Sequence, residues 1–135
     1  MISVNKLAKY IIWYANQKHI RISQLKLQKI LFFTQIEYIK KNNKLLFPDI
    51  FEVWKYGPTI SDIYYEYCAY GALGLRSYDE ADGVIAEDAT INTIINPLLR
   101  QDCSSLVHNS ITEVEKIGEK NISGETLLKL YAQKT

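Results

Sequence analysis

Residues 25–71 read LKLQKILFFTQIEYIKKNNKLLFPDIFEVWKYGPTISDIYYEYCAYG, and the fold is decided in this stretch. Leu25, Phe32, Ile36 and Ile39 recur along one side of a helix, and Leu27, Leu31 and Tyr38 along another. A helix that is apolar on two sides belongs at the centre of a domain, with neighbours on both flanks. The pattern predicts a helix over 24–41, capped at its start by Ser23. Lys40, Lys41 and Asn42 close it, where cations suit the negative end of the helix dipole. Lys26, Gln28 and Lys29 interrupt its first turns. Their stems are expected to cover apolar surface while their heads stay in water. After Pro48-Asp49, the run Phe51–Tyr56 alternates and is rich in β-formers, which predicts a short strand or small β-hairpin element. Gly57 and Pro58 form a structural turn that ends it. Pro58 then leads into a third helix, Thr59 to about Tyr70, which Gly71 stops.

Working outward, Ser3 is placed to cap a helix over 4–18 with Val4, Leu7, Ala8, Ile11, Tyr14 and Ala15 on its apolar face. Trp13 falls off that stripe, so it packs on another element or is exposed. Beyond Gly71 the chain is acidic and broken by Gly74 and Gly83. Leu75–Tyr78 and Val84–Ala86 read as short strands, with Asp82-Gly83 as a hairpin turn. Pro97 is expected to break or kink any helix across 90–100. A helix from about Asp102 or Cys103 to Ile117 is closed by Gly118. Ser123 caps a last one, Gly124 to about Gln133. The expected architecture is mostly α (α+β), one compact helical domain over 1–135.

At 135 residues with 47% apolar and 23% charged side chains, the chain can bury a core without disulfides or metals. Its longest apolar runs are too short to span a bilayer, and Asn5, Lys6 and Lys9 interrupt the N-terminal pattern, so no membrane segment or signal peptide is expected and the location is read as cytoplasmic. The net charge of +1 is unevenly spread. Residues 1–58 hold ten basic and three acidic side chains, and residues 59–95 hold one and seven. A nucleic-acid-binding regulator using the basic half is the competing reading from a different class. The acidic stretch and the absence of a reading motif count against it, and nucleic acid is not the expected partner.

No catalytic constellation is present. His19 and His108 belong to no metal-ligand pattern, and Cys103 and His108 are poorly spaced to face each other on a helix. Cys68 and Cys103 lack a Cys-x-x-Cys spacing and are expected to be small buried hydrophobes. Asp79, Glu80, Asp82, Glu87 and Asp88 read as a solvated acidic loop. No catalytic residue, metal or cofactor is assigned. What stands out is aromatic content, ten Tyr and two Trp. Such rings give large contact area at low entropic cost and are enriched at interface hot spots. Trp54, Tyr56 and Tyr65, near the Gly57-Pro58 turn and the start of the third helix, are the candidate partner-binding residues. Lys26 and Lys29 of the second helix are expected beside them.

The chain resembles the Panacea domain family, phage- and prophage-associated proteins also called GepA-like or SocA-like. The resemblance is carried by Leu25-Lys-Leu-Gln-Lys-Ile-Leu-Phe-Phe-Thr-Gln35, Leu46-Phe47, Trp54-Lys-Tyr-Gly-Pro58, Ile63-Tyr64 and Tyr70-Gly71. Leu7-Ala-Lys-Tyr-Ile11 and Ser23 also fit, as do Gly118, Ser123 and Leu127 to Leu130. The Thr-His and Pro-Trp ending common in the family is absent, and the chain closes on Tyr131-Ala-Gln-Lys-Thr135. The resemblance implies a mostly helical, non-enzymatic antitoxin that neutralises a toxin by direct stoichiometric binding, in some cases delivering it to a protease. A second reading on the same physics is a phage or mobile-element inhibitor of a host immune effector, in the manner of an anti-CRISPR protein.

Overall fold

A computed structural model describes residues 1–86 and 88–133 of the chain. Helix α1, Val4–Gln17, begins at Ser3, whose Oγ accepts the Lys6 N–H at 3.4 Å. Helix α2, Gln24–Asn42, begins at Ser23 in the same way. It is the axis of the molecule. Leu27, Ile30, Leu31, Phe32 and Ile39 are wholly buried along it. Five other helices and the sheet pack around it, as expected for a helix apolar on two sides. One cluster of buried side chains runs from Val4 to Leu127.

The sheet has three antiparallel strands in the order β2-β1-β3, with β1 Phe51–Trp54, β2 Gly57–Thr59 and β3 Asn121–Ile122. Here the expected boundary is corrected. Gly57-Pro58 does not end the strand region but starts its second arm: Trp54 pairs with Gly57 and Val53 with Pro58. Lys55 and Tyr56 are therefore the turn of a hairpin, and the positive φ it requires falls on Gly57, at +103°. No side chain fits at Gly57 either. A Cβ there would stand 2.8 Å from Ser110 Oγ and 3.4 Å from Lys29 Nζ.

Helix α3, Ser61–Tyr67, starts two residues later than expected because Thr59 is in β2. It tightens into a 3-10 turn over Cys68–Tyr70, and Gly71 follows at φ +57°. The two strands expected at Leu75–Tyr78 and Val84–Ala86 do not form. Residues 75–77 are held by α1 and the segment after it: Leu75 N–H donates to the Ile22 carbonyl, and the Asn16 amide grips the Leu75 carbonyl and the Ser77 N–H. Side-chain clamps replace a ladder, so extended backbone needs no partner strand. Asp82-Gly83 lies in a 3-10 turn, Glu80–Gly83, against Trp13. That contact, with the stack on Tyr10, settles Trp13 as packed and half-buried. Glu87, part of the expected acidic loop, lies outside the described residues, as do Lys134 and Thr135 of the closing segment.

Helix α4, Asp88–Arg100, runs through Pro97 without interruption. Pro97 and Thr93 are both exposed. Water can therefore satisfy the Thr93 carbonyl that proline leaves without its N–H, which is why the expected break is absent. Helix α5, Cys103–Ile117, is capped by Asp102 and ends at Gly118, and α6, Gly124–Tyr131, is capped by Ser123. Neither cysteine is the buried hydrophobe expected. Cys68 is exposed in the turn after α3, and Cys103 is half-buried at the start of α5. No helix of the described residues is long and apolar enough to cross a membrane.

Candidate protein-binding surface

The β1–β2 hairpin and α3 are held to α2 from inside by polar side chains. Gln28 accepts the Ile60 N–H at 2.9 Å and donates to the Ile60 carbonyl at 3.0 Å. Lys29 donates to the Pro58 carbonyl at 2.8 Å. Two helix turns beyond Gln28, Gln35 grips Leu46 N–H at 2.9 Å and the Phe47 carbonyl at 2.7 Å. Lys26 donates to the Leu99 carbonyl at 2.7 Å, tying α4 to the same helix. Each amide imitates a strand neighbour, so irregular backbone can be buried without orphaned polar groups.

These bonds correct the expectation for Lys26 and Lys29. Both are buried, Lys29 completely, and their heads are not in water. Lys29 offers no surface to a partner. Burial pulls its pKa down to about 8, partly offset by the neighbouring Cys103, and burial likewise lowers that of Lys26. The polar interruptions in the first turns of α2 are internal fasteners. The signal that could have shown this was spacing: Gln28 and Gln35 sit seven apart, on one face of a helix with apolar neighbours all round.

The outer side of the same assembly is aromatic. The Trp54 ring meets Tyr64 edge-on at 5.0 Å, and Tyr64 meets Tyr65 at 5.5 Å. Trp54 is half-buried, with its Nε1 3.5 Å from Glu52 Oε1. The strand stops at Trp54, so Tyr56 does not share its face by alternation, as expected from the sequence, but stands in the turn. Tyr56 is 53% exposed with Lys55 Nζ 5.4 Å from its ring centroid, and Tyr65 is 69% exposed. Trp54, Tyr56 and Tyr64 line an open groove of about 420 Å³ with Gln24, Leu25 and Thr59. On α3, Ile63 and Tyr67 point inward while Asp62, Tyr65 and Glu66 point out. The structure thus lines one groove with Trp54 and Tyr56, joins Tyr65 to it through Tyr64, and turns the two lysines inward. Tyr64, the ring that joins Trp54 to Tyr65, was missed because it reads as core by periodicity.

Among the described residues no group of three or more His, Cys, Asp or Glu side chains is placed to hold a metal ion. The arrangement can bury aromatic area against another macromolecule, on a backbone that is fixed before contact. The family profile described as "Antitoxin SocA-like, Panacea domain" matches residues 27–126. No curated protein and no solved structure matches the chain.

Proposed function

The chain belongs to the SocA-like antitoxin family of Panacea domains, and from that premise we propose that it neutralises a protein partner by stoichiometric binding through the aromatic face of the hairpin and α3. The observation that carries the proposal is Tyr65. A ring 69% exposed on a short helix contributes little to the fold. It continues a ladder of rings from Trp54, and the backbone beneath is fastened by Gln28 and Lys29. Rigid, exposed aromatics bury area on binding without a large ordering cost. Family membership supports a toxin as the partner. An immune effector would be met by the same face, and the identity of the captured protein separates the two.

The nucleic-acid reading loses ground on geometry. Two of the ten cations that make residues 1–58 basic are buried as backbone donors. The test is site-specific photocrosslinking in the native host, with a benzophenone amino acid at position 56, 65 or, as control, 115, followed by mass spectrometry. Positions 56 and 65 should capture the same protein and position 115 should not. Capture only at 115, or of nucleic acid at any position, would overturn the assignment.

A further inference from the structure

A second cleft, sharing no residue with the aromatic groove, lies between the α1–α2 connection and the 72–76 segment. It measures about 290 Å³ and is lined by Asn16, His19, Arg21, Gly74, Leu75 and Arg76, among others. The chain contains three arginines and two histidines. Two of the arginines and one of the histidines come together here, with no carboxylate among the lining residues. Arginine presents a planar fork of donors that matches phosphate oxygens, a geometry lysine lacks.

The cleft is built rather than incidental. Arg21 Nη2 donates to the Ala72 carbonyl, which fixes the guanidinium at the rim. Gly74 packs beside it: a Cβ there would stand at ordinary contact distance, 3.4 Å from Arg21 Cγ and 3.5 Å from its Nε. The Asn16 amide holds both the Leu75 carbonyl and the Ser77 N–H, setting the backbone that carries Arg76. His19 is the left-handed residue that ends α1, at φ +57°, in a motif where its N–H meets the Asn16 carbonyl and the Ile20 N–H meets the Ala15 carbonyl. Glycine is the usual occupant of that position, and the imidazole stands there against the preference. Arg76 also borders a neighbouring cleft that contains Glu66, Asp79, Glu80 and Asp82. Among the described residues the ion pairs are Lys40–Glu37 and Lys116–Glu113, so within that set neither Arg21 nor Arg76 is held in an ion pair.

We propose that His19, Arg21 and Arg76 bind the dianionic group of a phosphate monoester. The volume is at the low end of small-molecule clefts, roughly 300–1,000 Å³. It suits a phosphate with a small attached group and not a polyanion. Titration followed by amide NMR at fixed 0.1 M NaCl tests this with inorganic phosphate, AMP and adenosine. Phosphate and AMP should shift the His19, Gly74 and Arg76 signals saturably, and adenosine should not. Much tighter binding of AMP would point to a nucleotide, and equal binding to free phosphate. Arg76→Gln should weaken both ligands at least five-fold without changing the melting temperature. His19→Gly should also weaken them while melting no lower than the parent, because glycine relieves the left-handed backbone. A purely structural His19 would show the melting result without the binding loss. Shifts that do not saturate, affinity unchanged in Arg76→Gln, or adenosine binding as well as AMP would overturn the proposal.

Discussion

The hairpin has two sides. On the inner one, Gln28 holds the Ile60 backbone just before α3, Lys29 holds the Pro58 carbonyl of β2, and Gly57 lies against Ser110 of α5. On the outer one, Tyr56 and Tyr65 stand in water. Both sides are encoded within about forty residues, and residue type alone would have assigned them the other way round, polar groups out and aromatics in. The difference teaches that here the polar atoms set the backbone and the aromatic rings are left free for contact. If so, damage to the inner side should cost folding, and damage to the outer side should cost only binding.

The largest effect is expected at Gly57. Valine there must adopt a φ of +103° and drive its Cβ into Ser110, with Lys29 packed beside it. Gly57→Val should destabilise by about 3 kcal/mol or more, since strain and a clash add. Chemical denaturation measures it, and a variant of parental stability would mean that the hairpin is not fastened as described. Next comes Gln28→Leu, which fills the space but leaves the Ile60 N–H and carbonyl buried without partners. A loss of about 2–4 kcal/mol is expected. A loss below about 0.5 kcal/mol would show the clamp to be dispensable.

These inner positions mark the limit of what was legible in the sequence. The caps were readable because a cap is local: Ser3, Ser23 and Ser123 each accept an N–H three residues on. The two-sided apolar pattern of α2 gave its central place for the same reason. Gln28, Lys29 and Gln35 were not readable as fasteners, because their partners lie 32, 29 and 11 to 12 residues away. Periodicity reports a face and not what the face meets. The failed strands at 75–78 and 84–86 have the same origin. Composition asked for extended backbone there, but Asn16 took the bonds of Leu75 and Ser77, and the Ala81 carbonyl and Asp88 took those of Val84 and Ile85. For the site, the sequence pointed to Trp54, Tyr56 and Tyr65 but could not tell which were free. That depended on where β1 stopped.

Lys29 gives a smaller effect with a distinctive sign. Its folded pKa is lowered by burial to about 8, against about 10.4 in an unfolded chain. Below about pH 8 the side chain is charged in both states, and the burial penalty is fully present. Between about 8 and 10 the unfolded state binds more protons, so stability should rise with pH, by about 1–2 kcal/mol from pH 8 to 9.5. The window closes from above because burial holds the pKa of Tyr67 up, to about 12. An unfolded tyrosine ionises near 10, so that group's contribution falls as pH climbs further. Urea midpoints at pH 7, 8, 9 and 9.5 would show the rise. Lys29→Met, which keeps the stem and removes the charge, should remove most of it, leaving the smaller share that burial gives Lys26. A rise that survives in Lys29→Met belongs to another group.

The smallest effect on folding, and the most informative one for function, is expected at Tyr65. Its neighbours Ile63 and Tyr67 are buried while it is 69% exposed, and its contact with Tyr64 is edge-on at 5.5 Å. Little area is lost to the fold when the ring is removed, so Tyr65→Ala should change stability by no more than about 0.5 kcal/mol. If the outer side is the docking face, the same substitution should weaken the crosslinked partner by about 1–2 kcal/mol, as for an aromatic at the edge of a hot spot. Combining it with Tyr56→Ala should weaken binding further, since the two rings are carried by different elements and reach the partner independently. Binding measured by calorimetry beside a melting curve separates the outcomes. A drop in melting temperature would return Tyr65 to the inner side of the comparison. Unchanged affinity with unchanged melting would leave the aromatic ladder without a partner, and the docking face would have to lie elsewhere on the molecule.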